Sequence, residues 1–216
     1  MHRTAKNLEQ PMKKWIRCLV AIIALTIIFS CKSNSYTTEL RANFTKQEIA
    51  DLKKITEFFK TEMCEQRDAD FKTCYEQIPH ESLMAAGNPF WLRIDFEKQK
   101  ELYKQISPST FNKIWSFVKT TYPDSEGVYK SIGAVYNGAY QKFLNDIGKT
   151  NESINKYAIK IAETGDVNFL YLNYGIILRH KKEFNLEKNP HIQLILAIHY
   201  LSLNDEAKRK EKWEAE

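Results

Sequence analysis

Residues 45–63 have the sequence TKQEIADLKKITEFFKTEM, and this stretch decides the fold class. Thr45 and Glu48 have the spacing of a capping box, in which each side chain bonds the backbone N–H of the other residue. Apolar residues then recur at spacings of three and four, which is typical of one helix face; they are Ile49, Leu52, Ile55, Phe58, Phe59 and Met63. The stretch predicts an amphipathic helix packed against a core.

Further helical patterns follow along the chain. They predict helices from Ser109 to Val118, from Val128 to Ile147, from Thr150 or Asn151 to Gly165, from Asp166 to Leu178, and from Asn189-Pro190 onward. Residues 192–203 are apolar nearly all round, which is typical of a central, buried helix. With 7 Gly and 6 Pro in 216 residues, neither disorder nor a turn-rich all-β fold is favoured. The predicted fold class is all-α, as a single compact multi-helix domain.

Residues 90–97, FWLRIDFE, allow two interpretations. Their apolar residues alternate with polar ones, which is a strand pattern, but Leu92, Phe96 and Tyr103 also fit one continuous helical face. We favour a helix, because an isolated strand has no evident partner. One short β element near 90–97 remains the alternative.

The N-terminal residues have the pattern of a secretory signal. A basic flank precedes an apolar run over residues 18–29, which suits a signal peptide but is shorter than the roughly 20 residues that span a bilayer. The run ends at Ile28-Phe29-Ser30-Cys31, which resembles the lipobox of bacterial lipoproteins. The resemblance covers residues 12–31 and implies cleavage between Ser30 and Cys31, with a lipid anchor, palmitate included, on Cys31. A short uncleaved signal anchor is the alternative, and either Met1 or Met12 fits as the start.

The sequence therefore divides into four predicted segments. These are a cleaved signal peptide (1–30), a lipidated polar tether (31–44), an α-helical domain (45–204), and a charged tail or helix extension (205–216). Two or three acyl chains anchor a protein firmly, whereas one gives marginal binding. The lipoprotein resemblance implies a periplasm-facing place in the cell envelope. Since Lys32 is not the aspartate that retains lipoproteins in the inner membrane, the outer membrane is favoured.

The net charge of +5 comes mostly from the leader. Residues 1–30 contain five Lys or Arg and one Glu, so 27 basic and 26 acidic residues remain without them. A mature chain so close to neutrality has no global attraction to nucleic acid. The expected partners are a lipid membrane, through acylated Cys31, and a protein of the envelope, and no nucleic acid is expected.

Cys64 and Cys74 remain once the leader is removed and Cys31 is lipidated. On one straight helix their Cα atoms would lie about 15 Å apart, which is too far for a disulfide. A bond therefore requires the helix to end near Gln66 and residues 67–70 to turn the chain back. We predict this disulfide, because the periplasm permits such bonds; two free buried thiols are the alternative.

No catalytic, metal-binding or cofactor motif stands out in the sequence. It contains no nucleophile elbow, zinc-protease motif, P-loop or dinucleotide-binding glycine motif. Four histidines remain in the mature chain, and none has a Cys or His neighbour at ligand spacing; they are His80, His180, His191 and His199. Surface or hydrogen-bonded roles are favoured for them over catalysis. We therefore predict no catalytic residue, no metal and no cofactor.

Three tyrosines form the candidate binding surface. Tyr129, Tyr136 and Tyr140 lie at i, i+7 and i+11 of the predicted helix 128–147, on a side separate from its aliphatic stripe. Tyrosine supplies a large contact area at low entropic cost, which suits a binding surface. Ordinary packing at the edge of the core is the alternative.

These observations favour a membrane-anchored, periplasm-facing lipoprotein that acts as a non-enzymatic protein-binding module. Two versions differ in the partner: an immunity or inhibitor protein that blocks a toxic enzyme, or an accessory subunit of an envelope assembly. The alternative is a cell-wall- or lipid-directed enzyme, or a small-ligand carrier, without a recognisable motif. A deep pocket would favour that alternative, whereas a shallow charged or aromatic surface would favour protein binding.

Overall fold

Helices make up most of the protein in its computed structural model, which describes residues 38–64, 68–122, 126–167 and 170–214. The elements in chain order are α1 (Thr38–Asn43), α2 (Lys46–Met63), α3 (Phe71–Gln77), α4 (His80–Ala85), a 3₁₀ helix (Phe90–Arg93), α5 (Phe96–Gln105), α6 (Pro108–Ile114), β1 (Trp115–Thr120), β2 (Tyr129–Ala134), α7 (Ala139–Gly148), α8 (Glu152–Thr164), α9 (Tyr174–Arg179), α10 (Lys181–Phe184) and α11 (Pro190–Lys208). The predicted all-α class is confirmed, with one small two-stranded sheet added to it.

The core is built around α11 and α2. Asn189 caps α11 by accepting hydrogen bonds from the backbone N–H groups of His191 and Ile192, and Pro190 occupies the first helical position, as the sequence predicts. The helix is buried nearly all round and packs against α2. The capping box of α2 also forms, since the Thr45 N–H donates to Glu48 Oε2 at 2.8 Å.

Helix α8 begins and ends where the sequence indicates. The Asn151 side chain accepts from the Ile154 N–H at 2.8 Å, and Gly165 ends the helix in a left-handed conformation with φ 67°. Only glycine adopts this conformation at little cost, which is why the helix stops here. Helix α8 packs against α7.

The largest difference from the sequence prediction is an antiparallel hairpin of β1 and β2. The predicted helix from Ser109 to Val118 is wrong beyond Ile114, and the predicted helix from Val128 to Ile147 is wrong before Ala139. Strand pairing runs from Trp115 opposite Ala134 to Thr120 opposite Tyr129, so each strand satisfies backbone groups of the other. This pairing also places the Trp115 side chain in the core, with no exposed surface.

Three smaller corrections follow from local contacts. The first turn of α6 is capped by Ser107, whereas Ser109 donates to Glu48 Oε1 at 2.6 Å. The predicted helix from Asp166 to Leu178 begins instead at Tyr174, where the Asn173 side chain caps it. The alternation at 90–97 belongs to a 3₁₀ turn followed by the start of α5, so the β element lies elsewhere.

The C-terminal residues lie against the hairpin. Helix α11 continues to Lys208, and Arg209 then forms a buried ion pair with Asp205 at 2.7 Å. Beyond it, the Lys130 N–H donates to the Glu211 carbonyl and the Trp213 N–H donates to the Val128 carbonyl, each at 2.8 Å. The chain end therefore covers part of the outer edge of β2.

Candidate functional site

The predicted lipid attachment and cleavage positions, Cys31 and Ser30, lie outside the described residues. Within the described ranges, no helix combines the length and apolar character needed to cross a bilayer. The lipid anchor therefore stays a prediction from the sequence.

Cys64 and Cys74 are joined by a disulfide in the structure, with their Cα atoms 4.8 Å apart. Helix α2 ends at Met63, and α3 begins at Phe71 with Asp70 as its cap. The chain therefore turns back between the two cysteines, as the disulfide requires. The bond ties the end of α2 to the middle of α3.

Three of the four predicted histidine candidates are buried, so they do not form an accessible reactive site. His80 is 5% exposed, its ring stacks on Tyr174 at 4.9 Å, and its Nε2 lies 3.2 Å from the Tyr75 carbonyl oxygen. His191 and His199 are enclosed by the core, whereas His180 is exposed beside Glu183. Burial lowers the pKa of His80 to about 4 and that of His199 to about 3. Among the described residues, no group of His, Cys, Asp and Glu side chains has the arrangement of a metal site.

Asp51 is a buried carboxylate, and such groups often mark functional sites. It accepts from the Ser107 N–H and the Thr110 hydroxyl, each at 2.9 Å, and from the Lys54 ammonium at 3.0 Å. Burial raises the pKa of Asp51, but these hydrogen bonds lower it to about 2. The carboxylate therefore serves to fix the start of α6 against α2.

Glu48 has the same structural role one turn earlier. Its carboxylate accepts from Lys113 at 2.7 Å and from Ser109 at 2.6 Å, and it closes the capping box with Thr45. Burial raises the pKa of Glu48, but these bonds lower it to about 2. The carboxylates of Glu48 and Asp51 are both bound by groups of the protein, so neither is directed at a cleft.

The predicted tyrosine surface does not form, because it depends on a continuous helix over 128–147. Tyr129 lies in β2, Tyr136 lies in the turn after it and is 55% exposed, and Tyr140 lies in α7 and is 1% exposed. The hydroxyl group of Tyr140 is enclosed by the core, and burial raises its pKa. Of the three, Tyr136 borders a cleft beside the hairpin.

That cleft, the hairpin cleft, lies on the exposed face of the sheet and has a volume of about 490 Å³. It is bounded by β1, β2, residues 162–166 at the end of α8, and Glu206 of α11. Directly paired residues of an antiparallel sheet share a face, so Ser116, Val118 and their partners Gly133 and Ser131 form its floor. It is a groove open to solvent.

The charge of the hairpin cleft is predominantly negative. Glu163, Asp166 and Glu206 line it, and among the described lining residues Lys119 is the single cation. Lys119 lies 5.2 Å from the Trp213 ring, on the strand face opposite Val118. Partial desolvation and the nearby Asp166 carboxylate raise the pKa of Glu206. The cleft therefore has negative charge that its own lysine does not neutralise.

The sheet beside the cleft also has an open backbone edge along β1. No backbone group within the described part of the chain pairs with the outer edge of β1. On the outer edge of β2, the Ala134 N–H donates to the Gly165 carbonyl at 3.0 Å, and Glu211 bonds at the other end. Such an edge offers hydrogen bonds to an extended segment of another chain.

This site could not be recognised from the sequence pattern, because residues of both strands have helical spacing. A usable signal was Gly127, which has φ 118° in the structure and separates two segments rich in β-branched and aromatic residues. The acidic residues could not have been grouped from the sequence, because Glu206 is 40 positions from Asp166. Comparisons with protein-family models, with curated proteins and with solved structures found no match to this chain.

Proposed function

We propose that the protein is a bacterial envelope lipoprotein, anchored through lipid on Cys31 and facing the periplasm, whose helical domain binds another protein through the hairpin cleft. The observation that carries the binding part is the open, acidic cleft on a sheet face. Open, charged surfaces with exposed aromatic or apolar groups suit protein partners better than small substrates. The lipobox-like sequence and the even pair of remaining cysteines support the anchored, periplasmic location.

Two roles fit a tethered binding module. As an immunity or inhibitor protein, it would cover the active site or a necessary surface of a toxic enzyme that reaches the periplasm. As an accessory subunit, it would attach to an envelope assembly and hold one component at the membrane. In both roles the binding surface has to remain exposed when the lipid is inserted. Inhibition of a partner enzyme's activity by the purified protein separates the first role from the second.

The anchor is tested by metabolic labelling with a clickable palmitate. The parent chain should be labelled and should fractionate with membranes, whereas Cys31→Ala should lose both properties. Cys18→Ala is the matched control, since Cys18 lies in the predicted leader and is removed with it. Labelling that persists in Cys31→Ala would contradict the anchor.

The binding site is tested by photo-crosslinking in the cells that make the protein. A benzophenone amino acid at Val118, which is 45% exposed on the cleft floor, should form an adduct with one protein at high yield. The same probe at Glu81, exposed on α4 away from the cleft, is the control. Adducts of equal yield at both positions, or none at Val118, would contradict binding through the cleft.

A further inference from the structure

The floor of the hairpin cleft is an unpartnered sheet face with small side chains. Ser116 is exposed and Ser131 is half-buried, Gly133 is buried, and Val118 adds an exposed apolar group. At Gly133 an added Cβ would lie 3.5 Å from both the Gly165 carbonyl oxygen and Val118 Cγ1. The floor at Gly133 therefore lies close beneath the loop after α8, and the exposed part of the cleft lies over Ser116 and Val118.

The charges around this floor determine what can occupy it. Within the described residues, no Lys or Arg lies within ion-pair distance of Asp166 or Glu206. Glu163 differs, since Lys160 lies 3.7 Å from it. Two carboxylates in one cleft repel each other, and the pKa of Glu206 is raised first by desolvation and second by the Asp166 carboxylate. A cationic group would relieve that repulsion, whereas an anionic surface would increase it.

Tyr136 supplies an aromatic wall beside these carboxylates. Its Cδ1 lies 3.8 Å from the position that a Cβ at Gly165 would take, so the ring lies alongside the loop that carries Asp166. The ring is 55% exposed and lines the cleft. Aromatic faces attract Lys and Arg, and Arg also stacks on them. The wall and the carboxylates thus favour the same class of side chain.

We infer that the occupant of the hairpin cleft is an extended, cationic segment of the partner protein, with an Arg or Lys side chain bound by Asp166 and Glu206 against the ring of Tyr136. This inference rests on the proposed protein-binding function and specifies the chemistry of the partner. Anionic partners, such as nucleic acid or acidic lipid headgroups, are disfavoured by the same charges. Arg matches the site best, because its planar guanidinium donates to two carboxylates at once.

The charge requirement is tested with the full chain in neutral detergent micelles and a fluorescein-labelled nona-arginine peptide, by fluorescence anisotropy. Asp166→Asn/Glu206→Gln should weaken binding by roughly tenfold or more, because both charge-assisted hydrogen bonds to the peptide are lost. Glu57→Gln/Glu101→Gln removes the same charge from exposed positions on α2 and α5 and should change affinity less than about twofold. An equal loss in both variants would overturn the inference, because it would indicate attraction to overall charge.

Charge reversal provides the second arm. Asp166→Lys/Glu206→Lys should lose binding of the arginine peptide and gain binding of labelled nona-glutamate, which the parent chain should not bind. Tyr136→Leu should weaken binding of the arginine peptide, and like the parent chain it should not bind nona-glutamate. Failure of the reversed variant to gain nona-glutamate, in a chain with unchanged circular dichroism, would overturn the inference.

The crosslink at Val118 separates failure of this inference from failure of the proposed function. Loss of the adduct in Asp166→Asn/Glu206→Gln, with retention in Glu57→Gln/Glu101→Gln, supports a cationic partner segment. An adduct undiminished in both variants overturns the charge inference and leaves the binding function standing. Absence of any adduct in the parent chain contradicts the function itself.

Discussion

Mild acid should destabilise this protein through histidines that are buried in the neutral form. His80 and His199 are 5% and 1% exposed, and burial lowers their pKa values to about 4 and about 3. In the unfolded chain each histidine titrates near its ordinary pKa of 6.5. Below that pH the unfolded chain binds protons that the folded chain does not, so the free energy of unfolding falls as the pH falls. The stabilisation is complete above pH 6.5 and is lost progressively toward the folded pKa.

The size of the effect follows from the same values. Between about pH 7.5 and about pH 5, each of the two histidines remains neutral in the folded protein and becomes protonated in the unfolded chain, which costs about 2 kcal/mol per residue. Together they should lower the free energy of unfolding by about 4 kcal/mol, a large part of the 5–15 kcal/mol typical of a domain. His191, whose pKa burial also lowers, adds a contribution of the same sign.

Urea denaturation at the two pH values measures this loss directly. His80→Gln should reduce the loss of unfolding free energy by about 2 kcal/mol, because it removes one of the protonation differences. His180→Gln is the matched control, since the His180 side chain is 57% exposed. Between the two pH values this variant should lose as much unfolding free energy as the parent chain. Comparing each variant with itself at the two pH values cancels any packing cost of the substitution.

An unchanged pH-dependent loss in His80→Gln would refute the argument. So would imidazole NMR signals showing that His80 is protonated in the folded protein near pH 6. If Gln at this position prevents folding, His80→Phe offers a second variant, because its ring can replace the stacking on Tyr174 at 4.9 Å.

Three further predictions concern the fold. Reduction of the disulfide, or the substitution Cys64→Ser/Cys74→Ser, should lower the free energy of unfolding by about 2–3 kcal/mol, as expected for a loop of this length. Reduction should also add two hydrogens to the intact mass, and an unchanged mass would contradict the bond. Asp51→Asn should lower the free energy of unfolding at neutral pH by about 2 kcal/mol, because the pKa of Asp51 in the folded protein, about 2, lies below its ordinary value of 3.8. This difference from the parent chain should vanish as the pH falls toward 2, and a difference that persists in acid would contradict the charge-based account. Gly165→Ala should cost about 1 kcal/mol by thermal denaturation, because φ is 67° while its nearest neighbours leave room for a Cβ; a neutral effect would contradict it.

Much of the helical framework could be predicted from the sequence because its signals are local. Thr45 and Glu48 specify the start of α2, Asn189-Pro190 specifies the start of α11, and Gly165 specifies the end of α8. Each depends on residues within a single turn, where side-chain and backbone geometry are tightly coupled. The disulfide was predictable for a related reason, because its short loop restricts the path of the chain.

The hairpin could not be predicted in the same way, because its strands gain their stability from each other. Ile114, Trp115 and Val118 have helical spacing, but Trp115 begins β1 and pairs with Ala134 of β2. Tertiary pairing therefore overrides the local pattern. The tyrosine prediction failed with it, because helical spacing between Tyr129 and Tyr140 has no meaning across a strand and a turn. The cleft is formed by this hairpin together with α8 and α11, so its location could not be predicted from the sequence either.

Stability and binding should therefore be separable in this protein. Polar groups in the core largely bind one another, as in the hydrogen bonds from Gln99 to the Leu201 carbonyl and from Asn204 to Gln99. In contrast, Asp166 and Glu206 have no cationic partner among the described residues, so removing their charge breaks no ion pair of the fold. Arg209 contributes to the fold and also lies near the hairpin, because it donates hydrogen bonds both to buried Asp205 of α11 and to Glu211, which lies along β2. Neutralising Asp166 and Glu206 should consequently alter partner affinity at constant thermal stability, whereas substitution of Arg209 should alter both.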